Sequence, residues 1–486
     1  MAIKTRDEYL KSLEGRDLNI YMFGELIKDP LNHPIIRPSI NSVAMTYELA
    51  NREDFKDMVT VTSQLTGEKI NRFTHIHQSS EDLVNKVKML RVLGQMTCSC
   101  FQRCVGMDTL NAIYSVSYDI DQAEGTDYHK RFLDYVKYAQ KEDLTIDGAM
   151  TDTKGDRGLK PCDQQDPDMY VHIVKETKDG IVVRGAKAQQ TGCINSHEIL
   201  VMPTRSMSAN DKYYAVSFAI PVETEGIIYI YGRQSMDTRK LEEGVCGEID
   251  RGNVCYGGQE ILVVFEDVFV PWERVFMCRE YSYSRSLVER FAAYHRESYG
   301  GCKTGIGDVL IGAAALIAEY NGTQKASHIK DKIVEMIHLN ETLYSCGIAC
   351  SSQGTKTASG NYLVDILLAN VCKQNVSRLP YEIARLLQDI AGGLMVTLPS
   401  AKDFKSSEVG HYIEKYLKGV SSVPTENRIR LLRFIENMCL GCGAVCYLTE
   451  SMHGAGSPQA QRIMMSRMLD IEARKEMVKQ IAGIKD

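Results

Sequence analysis

The sequence predicts an α+β protein in which a β-rich region lies between two helical regions. Apolar residues recur with helical spacing in residues 1–143, alternate in residues 144–279, and return to helical spacing in residues 280–486. The changes in period indicate an N-terminal helical domain, a central β domain and a C-terminal helical domain with these boundaries.

In the first region, the segment SSEDLVNKVKMLRVLGQ has the clearest helical pattern. Ser79 or Ser80 can cap its N-terminus, because a serine hydroxyl accepts a hydrogen bond from a free backbone N–H of the first turn. One apolar stripe follows, made of Leu83, Val87, Leu90 and Leu93. The spacing predicts an amphipathic helix with this stripe facing the core.

The second region contains short alternating runs that are typical of strands. MYVHIVKETKDGIVVRGAKAQ has two such runs joined around Asp179-Gly180, which is a hairpin signal. YYAVSFAIPV, GIIYIYGRQ and EILVVFEDVFVPWERVF continue the same pattern. In the third region, GDVLIGAAALIAEY and SHIKDKIVEMIHLNETLYSCGIA predict long helices, and no internal repeat is present.

Composition and charge exclude several classes of function. A net charge of -6 and a pI near 6.1 leave no global basic field, so we expect no nucleic-acid partner. The N-terminus MAIKTRDEYLKSLEG lacks the apolar core of a signal peptide, and the best apolar run, VLIGAAALIA, is too short to span a bilayer. We therefore expect a cytoplasmic protein with no membrane partner.

The chain has 15 cysteines without an export signal, which argues against a disulfide framework and for free thiols in a reducing compartment. Most of them are predicted to pack as small apolar residues. Cys346 and Cys350 lie one helical turn apart, and Cys439, Cys442 and Cys446 follow the rhythm of a buried helix face.

Two segments, CSCFQRCVGMD and YHRESYGGCK, are candidates for a metal site. In a helix, Cys100 and Cys104 would share one face about 5–6 Å apart, which suits two corners of an iron–sulfur cluster. His295 and Cys302 would lie about 10 Å apart along an unbroken helix. Gly300-Gly301 is expected to end that helix and turn the chain back toward the same metal. Spacing alone leaves both a metal site and simple packing open.

Two polar loops suggest a flavin or nucleotide site. In MTDTKGDRG, Lys154 and Arg157 are available for phosphate. In QQTGCINSHE, Gln190, Thr191 and Asn195 lie at a strand end, where their side chains could hydrogen-bond a flavin. The alternative for each loop is a surface turn whose polar groups satisfy one another.

Six segments, taken together and in this order, resemble the 4-hydroxybutyryl-CoA dehydratases of anaerobic aminobutyrate fermentation. They are CFQRCVGMD, DGAMTDTKGDRG, GGQE, YHRESYGGCK, DIAGGLMVTLPS and TESMHGAGSPQAQRIM. Wider relatives are the flavin-dependent 4-hydroxyphenylacetate 3-monooxygenases and, more remotely, the acyl-CoA dehydrogenases. The resemblance implies an acyl-CoA dehydrogenase-like fold with a central β-barrel-like domain and a C-terminal helical bundle, assembled as a homotetramer with FAD at the subunit interfaces.

The resemblance also implies the cofactor sites. A [4Fe–4S] cluster would be held by Cys100, Cys104, His295 and Cys302. FAD would be contacted by Met150, Thr151, Asp152, Lys154, Gly155, Asp156, Arg157, Gln190, Thr191, Asn195 and Lys303. One imidazole among three thiolates leaves one iron electronically distinct, which suits a Lewis acid.

The implied activity is that of a hydro-lyase that converts 4-hydroxybutyryl-CoA to crotonyl-CoA and also isomerises vinylacetyl-CoA. The thioester acidifies C2–H and not C3–H, so a flavin-mediated radical is expected to make the C3 proton removable. His295 is the expected base at C2, with Glu450 as its carboxylate partner and Tyr299 beside the substrate. Glu260 is expected to handle the second proton or the leaving water.

The chain departs from the family pattern as we know it at Gln189, where His is expected, and at Thr153, where Pro is expected. Neither change removes a predicted cluster ligand. The rival interpretations are an FAD-dependent monooxygenase or other acyl-CoA flavoenzyme without a cluster, and a non-catalytic scaffold that keeps the fold.

Overall fold

The structure, a computed structural model, describes residues 3–484. Residues 1–2 of the predicted first domain and residues 485–486 of the predicted third domain lie outside the described residues. The helices are α1 Arg6–Lys11, α2 Arg37–Asn51, α3 Lys56–Val59, α4 Ser80–Thr97, α5 Arg103–Glu124, α6 Tyr128–Lys141, α7 Gly244–Asp250, α8 Ser284–Tyr320, α9 Ser327–Ser352, α10 Ile366–Val376, α11 Leu379–Ala391, α12 Ala401–Phe404, α13 Gly410–Tyr416, α14 Thr425–Cys439, α15 Glu450–His453, α16 Pro458–Met468 and α17 Ile471–Ala482.

The strands are β1 Ile20–Met22, β2 Glu25–Leu26, β3 Thr60–Thr62, β4 Lys69–Asn71, β5 Ile146–Ala149, β6 His172–Glu176, β7 Gly180–Gln190, β8 Glu198–Val201, β9 Val216–Pro221, β10 Ile227–Tyr231, β11 Ile261–Pro271, β12 Val275–Cys278, β13 Thr355–Lys356 and β14 Tyr362–Leu363. The fold is therefore mixed, as predicted, with most strands between α6 and α8.

The central strands form two open sheets. One has six strands in the order β2-β1-β10-β11-β7-β6, and the other has four in the order β12-β9-β8-β5. Within residues 3–484 neither sheet closes on itself, so the predicted barrel-like closure is not found. The hairpin expected around Asp179-Gly180 is confirmed, because β6 pairs antiparallel with β7 across that turn.

The N-terminal region is less purely helical than its pattern predicts. β1 pairs parallel with β10 and carries β2 at the edge of the six-stranded sheet. A second small hairpin joins β3 and β4. Strands of two or three residues are too short to show an alternating pattern, so only their tertiary partners define them.

Helix α4 agrees with its sequence pattern. The Ser79 hydroxyl accepts a hydrogen bond from the N–H of Asp82, as a capping residue does. The predicted stripe is completely buried: Leu83, Val87, Leu90 and Leu93.

The 37-residue helix α8 runs unbroken through Gly300-Gly301, so the predicted helix end is wrong. A Cβ on Gly301 would lie 2.5 Å from the carbonyl oxygen of Val87 on α4. A Cβ on Gly300 would lie 2.7 Å from the Cα of Gly347 on α9. The glycines are needed because they let α8 pack against two helices at backbone distance, which no larger residue allows.

In residues 3–484, one helical stretch, Tyr281–Tyr320, is long and apolar enough to cross a membrane, but two thirds of its most apolar window are buried inside the protein. Burial of this kind is what a core helix shows, and length and composition alone are weak evidence for a membrane span.

Lys187 connects the two sheets. From β7 its ammonium group donates to the carbonyl oxygens of Met150 and Met202, both at 2.9 Å, just beyond β5 and β8. It also forms an ion pair with Asp152 at 2.9 Å, and both side chains are buried. The ion pair therefore holds the end of one sheet against the other.

We expect Lys187→Met to lower the free energy of unfolding by about 3–5 kcal/mol, because it leaves the buried Asp152 carboxylate without its cation. Urea unfolding followed by circular dichroism measures the change. Lys475→Met, which removes an exposed pair with Glu472 on α17, is the matched control and should cause no measurable change. A loss below about 1 kcal/mol for Lys187→Met would contradict the structural role of the pair.

Candidate active site

A cavity lies where the ends of β5 and β7, the start of α5, the middle of α8 and the segment around α15 meet. It encloses about 960 Å³, including the space at its open mouth. The predicted site residues among its walls are Cys100, Cys104, Met150, Thr151, Gln190, Thr191, Glu260, His295, Tyr299 and Glu450. The tertiary structure thus brings residues from all three predicted regions to one place.

Cys100 and Cys104 reach this cavity from two different local structures, so the expectation that one helix carries both is wrong. Helix α4 ends at Thr97, Cys100 lies in the link, and Cys104 lies in the first turn of α5. Gln102 in the link has φ 70°, in the left-handed region. This conformation turns the chain and brings both thiols to the same cavity.

Cys302 is buried on α8 beside Cys104 and is not among the residues that line the cavity. Burial raises the pKa of the Cys104 thiol well above its usual range, and the neighbouring Cys302 raises that pKa further. Burial, Glu450 and Cys104 do the same for the pKa of Cys100. The three thiols therefore form one cluster, and a metal would have to displace their protons.

His295 has a fixed ring orientation. Its Nδ1 lies 2.8 Å from Oδ2 of Asp108, which leaves Nε2 for the cavity. Asp108 in turn accepts a hydrogen bond from the Ser298 hydroxyl at 2.9 Å and pairs with the buried Lys86 ammonium at 2.6 Å. A carboxylate behind one ring nitrogen is the usual arrangement of a metal-binding or proton-transferring histidine.

Asp108 is a site residue that the sequence reasoning missed. Glu450 was the predicted carboxylate partner of His295, but Asp108 occupies that place. The sequence does contain a signal for Asp108, because this residue follows Cys104 by one helical turn and so shares its helix face.

The donor set fits a multi-iron group better than a single ion. Within residues 3–484, no three His, Cys, Asp or Glu side chains are close enough to hold one metal ion. The ligands of a four-iron cluster bind separate irons and are spaced more widely. Three mutually close thiols and an imidazole with one free nitrogen match that set in number and kind.

The Glu450 carboxylate lies between the Cys100 thiol and the Lys303 ammonium group. Glu450 follows a π-helical turn, Val445–Thr449, and its Oε2 lies 2.9 Å from the ammonium group of Lys303. The Cys100 thiol lies 3.9 Å from Oε1 of the same carboxylate. Lys303 is buried beneath this carboxylate and also donates to the carbonyl oxygen of Cys446, so it contacts the cavity through Glu450.

Tyr299 has a buried hydroxyl for which the described residues offer no hydrogen-bond partner. A Cβ on Gly454 would lie 1.9 Å from that oxygen, so only glycine leaves room for it. The ammonium groups of Lys303 and Lys373 lie 5.0 and 4.9 Å from the ring centre. Two ammonium groups therefore lie near a ring that a ligand in the cavity can reach.

Glu260 also lines the cavity and accepts a hydrogen bond from the Thr191 hydroxyl at 2.7 Å. Burial and the nearby negative charge of Glu450 raise the pKa of Glu260 to about 8. A carboxyl group in this state is protonated near neutral pH and can act as an acid.

Several predicted FAD contacts lie away from the cavity walls. Asp152 is taken up by the buried ion pair with Lys187. The buried Asn195 amide donates to Ser39 and to Gln102, so it supports the link that carries Cys100.

The other displaced residues belong to the loop after β5. Lys154 is half-buried, while Gly155, Asp156 and Arg157 are exposed outside the cavity. Met150, Thr151, Gln190 and Thr191 are the predicted flavin residues that line the cavity itself.

Comparison with known proteins places this geometry in a family. Residues 5–277 match the N-terminal part of 4-hydroxyphenylacetate 3-hydroxylase, and residues 284–483 match its C-terminal part. The oxygenase component of 4-hydroxyphenylacetate 3-monooxygenase complexed with FAD superposes with a TM-score of 0.84 at 26% identity, covering 98% of each chain. An acyl-CoA dehydrogenase from Slackia heliotrinireducens reaches a TM-score of only 0.48, so that fold is matched only distantly.

Two other proteins are much more similar. The 4-hydroxybutyryl-CoA dehydratase/vinylacetyl-CoA-Delta-isomerase of Clostridium aminobutyricum is 60% identical over 99% of this chain and 100% of its own length. The solved 4-hydroxybutyryl-CoA dehydratase from N. maritimus, described as oxygen tolerant, is 58% identical with a TM-score of 0.97, covering 100% of this chain and 96% of its own. The chain therefore belongs to the 4-hydroxyphenylacetate 3-hydroxylase family of enzymes, and within it to the 4-hydroxybutyryl-CoA dehydratases.

Proposed function

We propose that the protein dehydrates 4-hydroxybutyryl-CoA to crotonyl-CoA and isomerises vinylacetyl-CoA to the same product, using FAD and a [4Fe–4S] cluster. The observation that carries the proposal is the meeting of Cys100, Cys104 and the Asp108-oriented His295 in one cavity, with Cys302 buried beside Cys104. The names of the most similar relatives support the substrate and both activities, and the FAD-bound structural relative supports the flavin.

The residues suited to hold the cluster are Cys100, Cys104, His295 and Cys302, and those suited to contact the flavin ring are Met150, Thr151, Gln190 and Thr191. When bound, FAD supplies reversible one-electron chemistry and the cluster supplies a Lewis-acidic iron for the C4 hydroxyl group. As a homotetramer in the cytoplasm, the protein would complete its flavin site with the exposed loop that carries Lys154 and Arg157.

His295 is suited to take the proton from C2 of the acyl-CoA at Nε2 when that nitrogen is released from iron, because Nδ1 is occupied by Asp108 and one nitrogen cannot bind iron and accept a proton together. Asp108 holds Nδ1 at 2.8 Å and stabilises the imidazolium ion that forms. Lys86 pairs with Asp108 at 2.6 Å and keeps that carboxylate charged. The base is therefore fixed in orientation before the substrate arrives.

Glu260 is suited to deliver a proton to the leaving hydroxyl group. Its raised pKa keeps it in the acid form at neutral pH, and the Thr191 hydroxyl fixes one of its oxygens. Glu450 pairs with Lys303 at 2.9 Å and bounds the substrate on the side of Cys100.

Replacing a cluster ligand tests the metal assignment. Cys100→Ala and Cys302→Ala should lose most of their iron, because each removes one of the four proposed ligands. Cys346→Ala is the matched control, because Cys346 lies on α9 outside the cavity and should keep the cluster. Iron and labile sulfide are measured after anaerobic purification. If Cys100→Ala retains roughly four irons per subunit, the ligand assignment is wrong.

His295→Cys separates iron binding from proton transfer. A thiolate can still bind iron, so we expect most of the cluster to remain. Because the substitution removes the imidazole that Asp108 orients, dehydratase activity should fall by about 10²–10⁴-fold, the usual contribution of a general base. The decisive measurement is exchange of the C2 proton of the acyl-CoA in deuterated solvent. Exchange at the wild-type rate would show that another residue is the base.

The pH dependence tests Glu260. Its acid form is present below about pH 8, so activity should fall as the pH rises through about 8. Thr191→Val removes a hydrogen bond that favours the carboxylate, so it should move this decline to higher pH. Glu260→Gln should abolish the decline and lower kcat by about 10²–10⁴-fold. An unchanged alkaline limb in Glu260→Gln would assign the acid role elsewhere.

A further inference from the structure

Asp147 is a buried acid that the proposed reaction does not use. It lies on β5, the edge strand of the four-stranded sheet, and it is among the residues that line the cavity. Its side chain is 1% exposed. Neither carboxyl oxygen has a hydrogen-bond partner of acceptable geometry among the described residues.

The surroundings of Asp147 disfavour a carboxylate. The titratable groups facing it are Cys193 after β7, Tyr229 on β10 and Glu260 before β11, and none of these is a cation. Burial raises the pKa of Asp147 to about 7, and only the backbone N–H of Gly148 works against this. The side chain therefore carries a proton below about pH 7.

A protonated buried carboxyl group is a hydrogen-bond donor, and leaving that donor unpaired costs free energy. Asp147 precedes Met150 and Thr151 on the same short segment, and Gln190 lies on the same cavity wall. These are the residues assigned above to the flavin ring, whose carbonyl oxygens and ring nitrogens accept hydrogen bonds.

We propose that Asp147 binds the flavin by donating a hydrogen bond from its protonated carboxyl group to an acceptor atom of the ring. This inference rests on the proposed use of FAD. It makes the β5 edge a wall of the flavin site. A protonated acid kept neutral by its apolar surroundings in order to donate a hydrogen bond is a known catalytic device.

The sign of the pH effect follows from the donor role. Below about pH 7 the acid form is present and the hydrogen bond can form. As the pH rises through that value, the proton is lost and a negative charge faces the acceptor atom, so affinity for FAD should fall.

Flavin binding to full-length protein stripped of FAD tests the proposal. FAD is titrated into wild type, Asp147→Asn and Asp147→Leu between pH 6 and 9, and the Kd is read from flavin fluorescence. At pH 6, Asp147→Leu should bind about tenfold more weakly than wild type, and Asp147→Asn, which keeps an N–H donor, should stay within about threefold. Wild type should lose about tenfold in affinity across the range, and Asp147→Asn should not.

Two controls keep the outcomes distinct. Glu260→Gln should still lose affinity for FAD as the pH rises, because the effect belongs to Asp147, although the midpoint shifts because Glu260 faces Asp147. Without flavin, Asp147→Leu should unfold at a temperature no lower than wild type, because it removes an unpaired buried carboxyl group.

The proposal is overturned if Asp147→Leu binds FAD as tightly as wild type, which would mean that the carboxyl partner is internal to the protein. It is also overturned if the pH dependence disappears in Glu260→Gln and persists in Asp147→Asn. Failure of the wild-type protein itself to bind FAD would instead refute the proposed function.

Discussion

The buried ammonium group of Lys86 is the interaction on which the site depends. From α4 it contacts Asp108 on α5 at 2.6 Å and Glu297 on α8 at 2.8 Å, and all three side chains are inaccessible to solvent. Burial alone would lower the pKa of Lys86, but the two carboxylates outweigh it and raise that pKa above its usual range. The three helices joined in this way are the ones that lead into, or carry, the proposed cluster ligands, so one ion network positions both the thiols and the imidazole.

Close helix packing complements this network. α4 and α8 approach so closely that a Cβ on Gly94 would lie 2.6 Å from the carbonyl oxygen of Cys302, and one on Gly305 would lie 2.1 Å from that of Arg91. Such contacts leave α8 little freedom to slide along α4, because any shift produces backbone collisions. The position of Cys302 beside Cys104 is therefore set by backbone contacts rather than by the rotamer of a flexible side chain.

The cavity combines opposite electrostatic environments within a short distance. Around Tyr299, the amino groups of Lys303 and Lys373 and the guanidinium group of Arg296 lie near the carboxylate of Glu450. Burial, together with the positive charges of Lys303 and Arg296, lowers the pKa of Lys373 to about 7. Around Glu260, carboxyl groups face one another without a cation in direct contact. The first environment favours negative charge on a ligand. The second keeps acids protonated, which suits delivery of a proton.

By itself the sequence determined the features that depend on neighbours in the chain. The Ser79 cap, the buried stripe of α4 and the hairpin at Asp179-Gly180 follow local periodicity and turn chemistry, and they agree with the structure. The set of motifs was specific enough to predict the family. Only the tertiary structure decided that α8 continues through Gly300-Gly301, that Asp108 rather than Glu450 holds His295, and that Asp152 is taken up by Lys187. Each of these outcomes depends on a partner more than thirty residues away, and no local pattern encodes the distance between such residues, because packing and charge pairing in the folded core set it.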